Sequence, residues 1–370
     1  MHRRALLVMP SLALAGAARA QSAGVRLVVP YPPGGGIDVS GRIFAEALTQ
    51  SQGAPWVVEN RSGANGAVGS AAVARAEADG RTLLCNSDSH LLARGVMARV
   101  PYDPIADFTP IARLAISPLV LVGAPGLAAA DLPALIADIR ARPQAHAFAN
   151  TSLGTSGHLA TELFRLEVGV PVLIVSYRGT GPAIADVVGG QTSLMMAPLL
   201  SALPLVRAGR LKAYCVTGPG RAAVAPEIPN AAEVGMPALA PVAPWFAFWG
   251  PRGLAPAEVT RLNAAVQAAA ATPEVARKLG DLGGQPVLGE SAAQFEAFIA
   301  EAARRGRSDQ RRLLISLLFA ALIMPGIKNP SISHHSPITA SPMKPTRINI
   351  PTQDSRKSTS MISPEMVRPR

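Results

Sequence analysis

The sequence predicts an α/β fold of two domains with mostly parallel strands, and three observations support this. Short apolar runs alternate with amphipathic segments along the body of the chain. Hydrophobic residues make up 49% of the 370 residues and aromatic residues only 4%, so the cores are built mainly from Ala, Val, Leu and Ile. That composition suits helices packed on parallel sheets better than an aromatic-rich sandwich of two sheets. The length is enough for two domains of ordinary size.

The elements follow one another as strand, turn and helix. The run 25–29 predicts a strand, which Pro and Gly residues at 32–36 end. Asp38 is placed to cap a helix that carries Ile43, Phe44, Ala47 and Leu48 on one face. The other predicted strands are 56–59, 82–85, 119–122, 147–150, 172–175, 192–196 and 211–217. The other predicted helices open at 63–69, follow the loop 151–157, and cover 132–141, 182–188, 256–270 and 291–303.

The net charge of +11 lies at the two ends of the chain. Residues 1–20 contribute +3 and residues 304–370 contribute +9, whereas the stretch between them sums to −1. A nucleic-acid-binding domain carries its basic patch on the folded body. The charge distribution therefore argues against a nucleic-acid partner.

The first 20 residues read as a secretory signal peptide. A positive start at His2, Arg3 and Arg4 precedes the apolar run 5–17, and 18–20 (Ala-Arg-Ala) fits a cleavage site between small residues. The alternative is a buried first helix, but charge, apolar run and cleavage site occur in the order of an export signal. The sequence thus predicts a mature protein that begins at Gln21 in the periplasm.

The two cysteines, Cys85 and Cys215, lie in apolar strand-like runs. An oxidising compartment permits a disulfide between them. Burial as two separate small hydrophobic side chains is the favoured interpretation, because free cysteine packs well in cores. No metal-binding spacing involves either residue.

The C-terminus changes character abruptly near Arg304. An apolar run at 313–324 is shorter than the roughly 20 residues that span a bilayer. The segment that follows is rich in Ser, Pro, Ile and Lys without a period, which predicts disorder. A functional tail and a reading-frame slip in the gene both explain residues 305–370.

A strand followed by a Gly/Ser/Thr-rich turn and a helix N-terminus occurs three times, after Tyr31, Asn60 and Asn150. Helix N-termini carry unpaired N–H groups and a partial positive charge, so they bind anions without a formal cation. Ordinary capped turns would look the same at any one of these places. Three such loops together raise the expectation of an anion site.

Nucleotide and enzyme motifs are weak or absent. The sequence has no phosphate-binding P-loop, and Val39 stands where a dinucleotide-binding loop needs its third glycine. Ser156 and His158 with Asp186 lack the nucleophile elbow of a hydrolase, so His158 is interpreted as a structural residue. Asp88 with His90 is too small a set for a metal site.

Several longer motifs occur in a fixed order along the body. They are VPYPPGGGID (29–38) with Arg42, VVENRSGANG (57–66), YDPIADFTPI (102–111), TSGHLATELF (155–164), YRG (177–179) with GGQ (189–191), and ALP (202–204). Together they resemble the Bug (TctC-like) receptors of tripartite tricarboxylate transporters, over about residues 21–303.

The resemblance implies a type II periplasmic-binding-protein fold, in which two α/β lobes are joined by crossover strands. Lobe 1 is expected to comprise 21–118 and a returning part with the hinge at 222–304, and lobe 2 to comprise 119–221. A small carboxylate or an amino-acid-like ligand is expected in the cleft, and two integral membrane permease subunits are the expected partners. No cofactor, metal or catalytic residue is expected.

The candidate ligand-binding residues lie in loops that are expected to face this cleft. They are Tyr31, Gly34, Gly35, Gly36, Asp38, Ser87, Ser89, Thr151, Ser152, Thr155, Ser156, His158, Tyr177 and Gly179. Backbone N–H groups of 34–38 and 153–157, with the Thr155 and Ser156 hydroxyls, are expected to hold the carboxylate in preference to Arg178. Neutral donors avoid the cost of burying a cation.

The sequence departs from the family pattern in three places that bear on the ligand. Ile37 replaces the usual Thr before the Asp, Pro198 replaces a polar residue in lobe 2, and the stretch 245–250 is unusually apolar. A sensor that passes the same ligand signal to a kinase remains an alternative to transport. A periplasmic hydrolase is less favoured.

The signal-peptide interpretation gives the first testable prediction. N-terminal sequencing of the protein recovered from the periplasm should begin at Gln21, because cleavage follows the small residue Ala20. A cytosolic product that retains Met1 would contradict it.

Overall fold

Two β-sheets, each flanked by helices, form the part of the chain that the structure describes. This computed structural model describes residues 24–97 and 99–302. The predicted signal peptide (1–20) and the whole of the atypical C-terminal segment (305–370) lie outside the described residues. Among the described residues, no helix has both the length and the hydrophobicity needed to cross a bilayer.

The elements are numbered in chain order. The strands are β1 (Val25–Val29), β2 (Trp56–Asn60), β3 (Thr82–Ser87), β4 (Phe108–Ile116), β5 (Leu119–Gly123), β6 (Ala147–Asn150), β7 (Leu173–Ser176), β8 (Leu194–Pro198), β9 (Lys212–Val216), β10 (Trp245–Pro251) and β11 (Gln285–Pro286). The helices are α1 (Gly36–Gln52), α2 (Ala67–Ala74), α3 (Ser89–Val96), α4 (Leu132–Ala141), α5 (Ser156–Val168), α6 (Thr180–Val188), α7 (Leu199–Arg207), α8 (Pro256–Ala270), α9 (Pro273–Gly280) and α10 (292–302).

The first sheet is built from two separate stretches of the chain. Its strand order is β11-β4-β10-β3-β1-β2, with β1 parallel to β2 and β3. β10 runs antiparallel to both β3 and β4, and β11 runs antiparallel to β4. The second sheet has the order β7-β6-β8-β5-β9, with β6 parallel to β7 and β8 but β5 antiparallel to β8 and β9. Both sheets are mixed, but β1–β4 of the first sheet and β6–β9 of the second each share one direction. The expectation of mostly parallel strands therefore holds for strand direction, whereas five of the nine neighbouring pairs in the described part of the chain are antiparallel.

The antiparallel pairs arise where the chain passes between the sheets. It leaves the first sheet at the end of β4 and enters β5 after only Ser117 and Pro118. It returns through β10, which pairs with β4, so the two crossings lie side by side. The Ser117 N–H donates to the Pro244 carbonyl at 3.0 Å, which ties the two crossings together. Two α/β lobes joined by crossover strands are thus confirmed, although the sequence analysis had not identified β4 or β10 as strands.

β10 is buried along its whole length because helices cover both faces of its sheet. Phe246 and Phe248 pack with Phe44 of α1 in one core cluster. Trp245 and Trp249 point to the opposite face, where both rings contact Phe295 of α10. A strand covered on both faces shows no alternation of apolar and polar residues, so period-two patterning cannot reveal it.

The second sheet is also covered on both faces. Leu119 and Leu121 of β5 pack with helices α4 and α5, and Val120 and Val122 pack with α6 and α7. Cys85 and Cys215 are buried as free thiols in different sheets, which confirms the interpretation that they are separate core residues.

An ion pair anchors the C-terminal part of the described chain to β4. Arg113 binds Glu290 through Nε and Nη2, with N–O distances of 2.6–3.0 Å, and its guanidinium lies 3.9 Å from the Phe298 ring centroid. The Arg113 side chain is 16% exposed and that of Glu290 9% exposed. Removing one partner from a buried ion pair leaves an uncompensated charge.

Glu290→Gln should therefore lower the free energy of unfolding by about 2 kcal/mol or more, because Arg113 keeps its charge in a poorly solvated site. The matched control is Glu233→Gln, which breaks the exposed Arg221–Glu233 pair and should cost less than about 1 kcal/mol. Urea unfolding of both variants measures the difference. Equal losses in the two variants would contradict the assigned role of the Arg113–Glu290 pair.

Candidate functional site

A cavity lies between the two lobes, beside the C-terminal ends of β1, β3 and β6. It encloses about 550 Å³ of space free of protein atoms, open solvent at its mouth included. Ten of the fourteen candidate residues line it, namely Tyr31, Gly35, Gly36, Asp38, Ser87, Thr151, Ser152, Thr155, Ser156 and Gly179. The structure thus brings together loops that are more than a hundred residues apart in the sequence.

The N-terminus of α1 opens onto this cavity. Gly34 has φ +87°, which lets the chain turn after the two prolines, and Gly35 is the N-cap residue. The first helical hydrogen bond runs from the Val39 N–H to the Gly35 carbonyl. The N–H groups of Gly36 and Ile37 therefore have no partner within the helix and are available at the cavity wall.

Glycine is required at position 36 by the strand behind it. A Cβ there would lie 2.7 Å from Cζ of Phe246 and 3.2 Å from Cβ of Pro198. The backbone of Gly36 is thereby packed directly against β10 and against the end of β8 in the other lobe.

Asp38 shapes the α1 loop, and it does so differently from the sequence prediction. It is not the N-cap; its carboxylate instead reaches back to accept from the Gly34 N–H at 3.0 Å. Asn60 Nδ2 and Arg42 Nε donate to the same carboxylate at 2.8 and 3.0 Å. Burial opposes the charged form, but the hydrogen bonds from Arg42, Gly34 and Asn60 lower the pKa of Asp38 below its usual value. The expectation that the Gly34 N–H binds ligand was therefore wrong, because Asp38 already uses it.

The N-terminus of α5 faces the same cavity from the second lobe. Thr155 is its N-cap, since the Thr155 hydroxyl accepts from the His158 N–H at 3.1 Å and donates to the Ser152 carbonyl at 2.9 Å. This leaves the N–H groups of Ser156 and Gly157 without a partner within the helix. The Thr155 hydroxyl, expected to contact the ligand, thus has its hydrogen bonds within the loop.

Four of the candidate residues do not line the cavity. Gly34 supports the turn, and Ser89 lies behind the wall, 2.8 Å from the Ser87 hydroxyl. His158 Nδ1 accepts from the Gly154 N–H at 3.2 Å, and burial lowers the pKa of His158, which fits a structural residue. Tyr177 faces a neighbouring pocket together with Arg178, and its hydroxyl donates to Asp186 at 2.7 Å.

Sequence reasoning missed several residues of the cavity wall. Most are apolar, and several come from the strands, among them Leu119, Met196 and Phe246. Ile37 and Pro198, noted as departures from the family pattern, also line the cavity and add to its apolar surface. The only signal available for these residues was their position at or beside the ends of apolar runs.

Asp88 is a polar wall residue that the sequence suggested only as a weak metal ligand beside His90, and not as a ligand-binding residue. It lies between β3 and α3 and lines the cavity. Burial raises the pKa of its carboxyl to about 6, although Ser156, Ser87 and Ser89 donate hydrogen bonds to it. His90 is instead buried among aromatic rings, including Phe108 and Trp249. No group of three metal-ligating side chains occurs within the described residues.

The two lobes touch across the mouth of the cavity. The Ser156 hydroxyl donates to Oδ2 of Asp88, and Asn65 Nδ2 donates to the Leu153 carbonyl at 3.0 Å. Asn65 belongs to the Gly-rich loop that follows Asn60. This loop therefore lies at the mouth of the cavity and is not part of its wall. These contacts hold the lobes together around the enclosed space.

The electrostatics of the cavity come from its helix ends. No lysine or arginine from the described part of the chain lines it, and its acidic groups are Asp38, which Arg42 neutralises, and Asp88. Positive potential is supplied by the N-termini of α1 and α5, each of which presents two N–H groups. The arrangement can bind a small anionic group without a salt bridge.

Comparison with known proteins agrees with this geometry. The family described as the tripartite tricarboxylate transporter family receptor, TctC, matches residues 41–312. Protein BugT of Bordetella pertussis (strain Tohama I) is 38% identical over 283 residues, which cover 76% of this chain and 86% of BugT.

Solved structures show the same architecture. The periplasmic binding protein BugD superposes with a TM-score of 0.75 at 27% identity, covering 79% of this chain and 98% of BugD. The R. palustris protein Rpa4515, solved with adipate, gives a TM-score of 0.75 at 31% identity, covering 79% of this chain and 97% of that protein. These comparisons confirm the predicted fold class and the prediction of a binding protein in place of an enzyme. Since the family match covers well over half of its length, the chain belongs to the TctC family of tripartite tricarboxylate transporter receptors.

Proposed function

We propose that this protein is a periplasmic receptor that captures a small carboxylate and delivers it to the membrane permease of a tripartite tricarboxylate transporter. The observation that carries the proposal is the pair of helix N-termini, of α1 and α5, that face one cavity lacking any lysine or arginine from the described residues. A carboxylate is the small anionic group that such paired N–H donors fit. The adipate bound to Rpa4515 supports the same ligand class.

The ligand carboxylate accepts hydrogen bonds from the N–H groups of Gly36 and Ile37 on one side and of Ser156 and Gly157 on the other. A hydrogen bond to a charged group contributes about 1.5–3 kcal/mol. A few such bonds reach micromolar affinity, about −8 kcal/mol, after the costs of association are subtracted. Neutral donors also avoid the penalty of burying a cation.

The remainder of the ligand lies against the apolar wall. Leu119, Met196, Pro198 and Phe246 offer hydrocarbon surface and few hydrogen-bonding groups. This surface suits the methylene chain of an organic acid, which gains about 0.8 kcal/mol for each buried CH₂.

Capture proceeds by closure of the lobes about the paired crossings. We assign 21–118 and 244–304 to lobe 1 and its hinge, 119–243 to lobe 2, and 305–370 to a segment outside the binding fold. The return boundary moves from the expected residue 222 to 244, because Ala231, Met236 and Leu239 pack in the core of the second sheet. The contacts at the cavity mouth, from Ser156 to Asp88 and from Asn65 to Leu153, form in the closed state. The closed form is the one that the permease subunits recognise, after export directed by residues 1–20.

Two substitutions distinguish neutral donors from a salt bridge. Ser156→Ala removes a wall hydroxyl and the contact between the lobes, so it should weaken binding of adipate or another bound dicarboxylate about tenfold, equivalent to about 1.4 kcal/mol. Arg178→Ala is the control, because Arg178 lines the neighbouring pocket, and it should change affinity less than about twofold. Isothermal calorimetry measures both.

The opposite pattern would contradict the proposal. Loss of binding in Arg178→Ala, with normal binding in Ser156→Ala, would mean that an arginine holds the ligand. Circular dichroism of both variants checks that the fold is intact.

A further inference from the structure

One carboxylate in the cavity has no cation to balance it. Asp88 is partly buried, and its Oδ1 accepts from the Ser89 N–H at 3.0 Å. Its Oδ2 accepts from the Ser156 hydroxyl, which belongs to the opposite lobe. Every hydrogen bond that Asp88 receives within the described residues therefore comes from a neutral group.

Asp38, the other carboxylate of the cavity, differs from Asp88 because it has a cationic partner. Both carboxylates line the same cavity, but Asp38 is bound by the Arg42 guanidinium and by the Asn60 amide. No salt bridge to Asp88 occurs among residues 24–97 and 99–302, and no basic side chain there lines the cavity. Burial without a cation raises the pKa of Asp88 to about 6, so its carboxyl is mainly ionised at neutral pH.

The position of Asp88 places this charge next to the proposed carboxylate site. Ser156 is the first residue of α5, so the carboxylate that the α5 N-terminus attracts lies close to the group that Ser156 contacts. Two like charges in such a site disfavour each other, and the second carboxylate of a dicarboxylic acid would add to the repulsion. A positively charged group on the ligand at the same distance would instead be attracted to the Asp88 carboxylate.

We propose that Asp88 makes this receptor selective for carboxylates that also carry an ammonium group. The ligand carboxylate lies at the N-termini of α1 and α5, and its ammonium donates to Asp88 and to the neighbouring Ser87 hydroxyl. An ammonium has three donors and no acceptor, which matches a carboxylate flanked by hydroxyls. This inference rests on the proposed function and narrows its ligand class from carboxylates to amino carboxylates.

The test compares ligands that differ only in the second charged group. The pairs are β-alanine with succinate, γ-aminobutyrate with glutarate, and δ-aminovalerate with adipate, because each pair shares its methylene chain. Calorimetry with the wild-type protein near neutral pH should show that the amino carboxylate of the best-binding pair binds at least about tenfold more tightly than its dicarboxylate.

Asp88→Asn removes the charge and keeps the shape. Asparagine caps helices as well as aspartate does, so α3 should be retained. In this variant the preference for the amino carboxylate should fall at least about tenfold. Asp131→Asn is the matched control: Asp131 also caps a helix, by accepting from the Ala134 N–H at 2.8 Å, but lies away from the cavity, and its preference should equal that of the wild type.

Three results would overturn the inference. Tighter binding of the dicarboxylates by the wild-type protein would refute the role of Asp88 but leave the carboxylate receptor intact. An unchanged preference for the amino carboxylate in Asp88→Asn would also refute the role of Asp88 and leave the carboxylate receptor intact. Failure of every acid in the panel to bind the wild-type protein would refute the proposed function and the Asp88 inference together. If Asp88→Asn fails to fold, the comparison of amino carboxylates with dicarboxylates in the wild-type protein still tests the proposed selectivity.

Discussion

The site depends on two helix N-termini that face each other across a cleft. An N-terminus concentrates unpaired N–H donors and partial positive charge at one point, and two of them in opposition create a site for an anion without any buried cation. Neighbouring residues leave the N–H groups at these helix ends without partners in the described part of the chain. Asp38 binds the α1 loop from behind and Thr155 caps α5, so that the N–H groups of Gly36 and Ser156 remain unpaired at the wall. The close packing of Gly36 against Phe246 fixes the distance between the α1 terminus and the strand that crosses between the lobes.

The same crossing region links binding to movement. β4 and β10 pair with each other in the first sheet, and the chain passes to the second lobe immediately beyond them, at Ser117 and Pro244. Two adjacent strands allow the lobes to rotate about one axis, whereas a single strand would also allow them to twist. The Arg113–Glu290 pair anchors the segment leading into α10 to β4, so it stabilises the lobe from which the crossings emerge. A receptor of this kind needs one rigid lobe against which the other can close.

The sequence predicted the Gly-rich turns before helices better than the strands and side chains that surround them. Two of the three Gly-rich turns lie in the cavity wall, and their binding of a ligand remains a prediction. The remaining turn, with Asn65, lies at the cavity mouth. The local sequence does not distinguish a turn at the mouth from a turn in the wall. β10, like β5, is buried on both faces and does not alternate; its aromatic run was considered only as a departure from the family pattern, so the strand was missed. Asp88 was considered only with His90 as a metal pair, because its place in the cavity wall, without a cation beside it, appears only when the other lobe is in place.

In the proposed complex, backbone N–H groups of both lobes hold the ligand carboxylate. These groups can be observed by nuclear magnetic resonance of the ¹⁵N-labelled protein, titrated with γ-aminobutyrate and with glutarate. We expect large downfield shifts of the amide protons of Gly36, Ile37 and Gly157 as they donate to the carboxylate, with the arginine side-chain signals unchanged. Shifts confined to the arginine Nε–H signals, with those three amides unaffected at saturation, would show that a salt bridge holds the ligand and that the backbone donors do not.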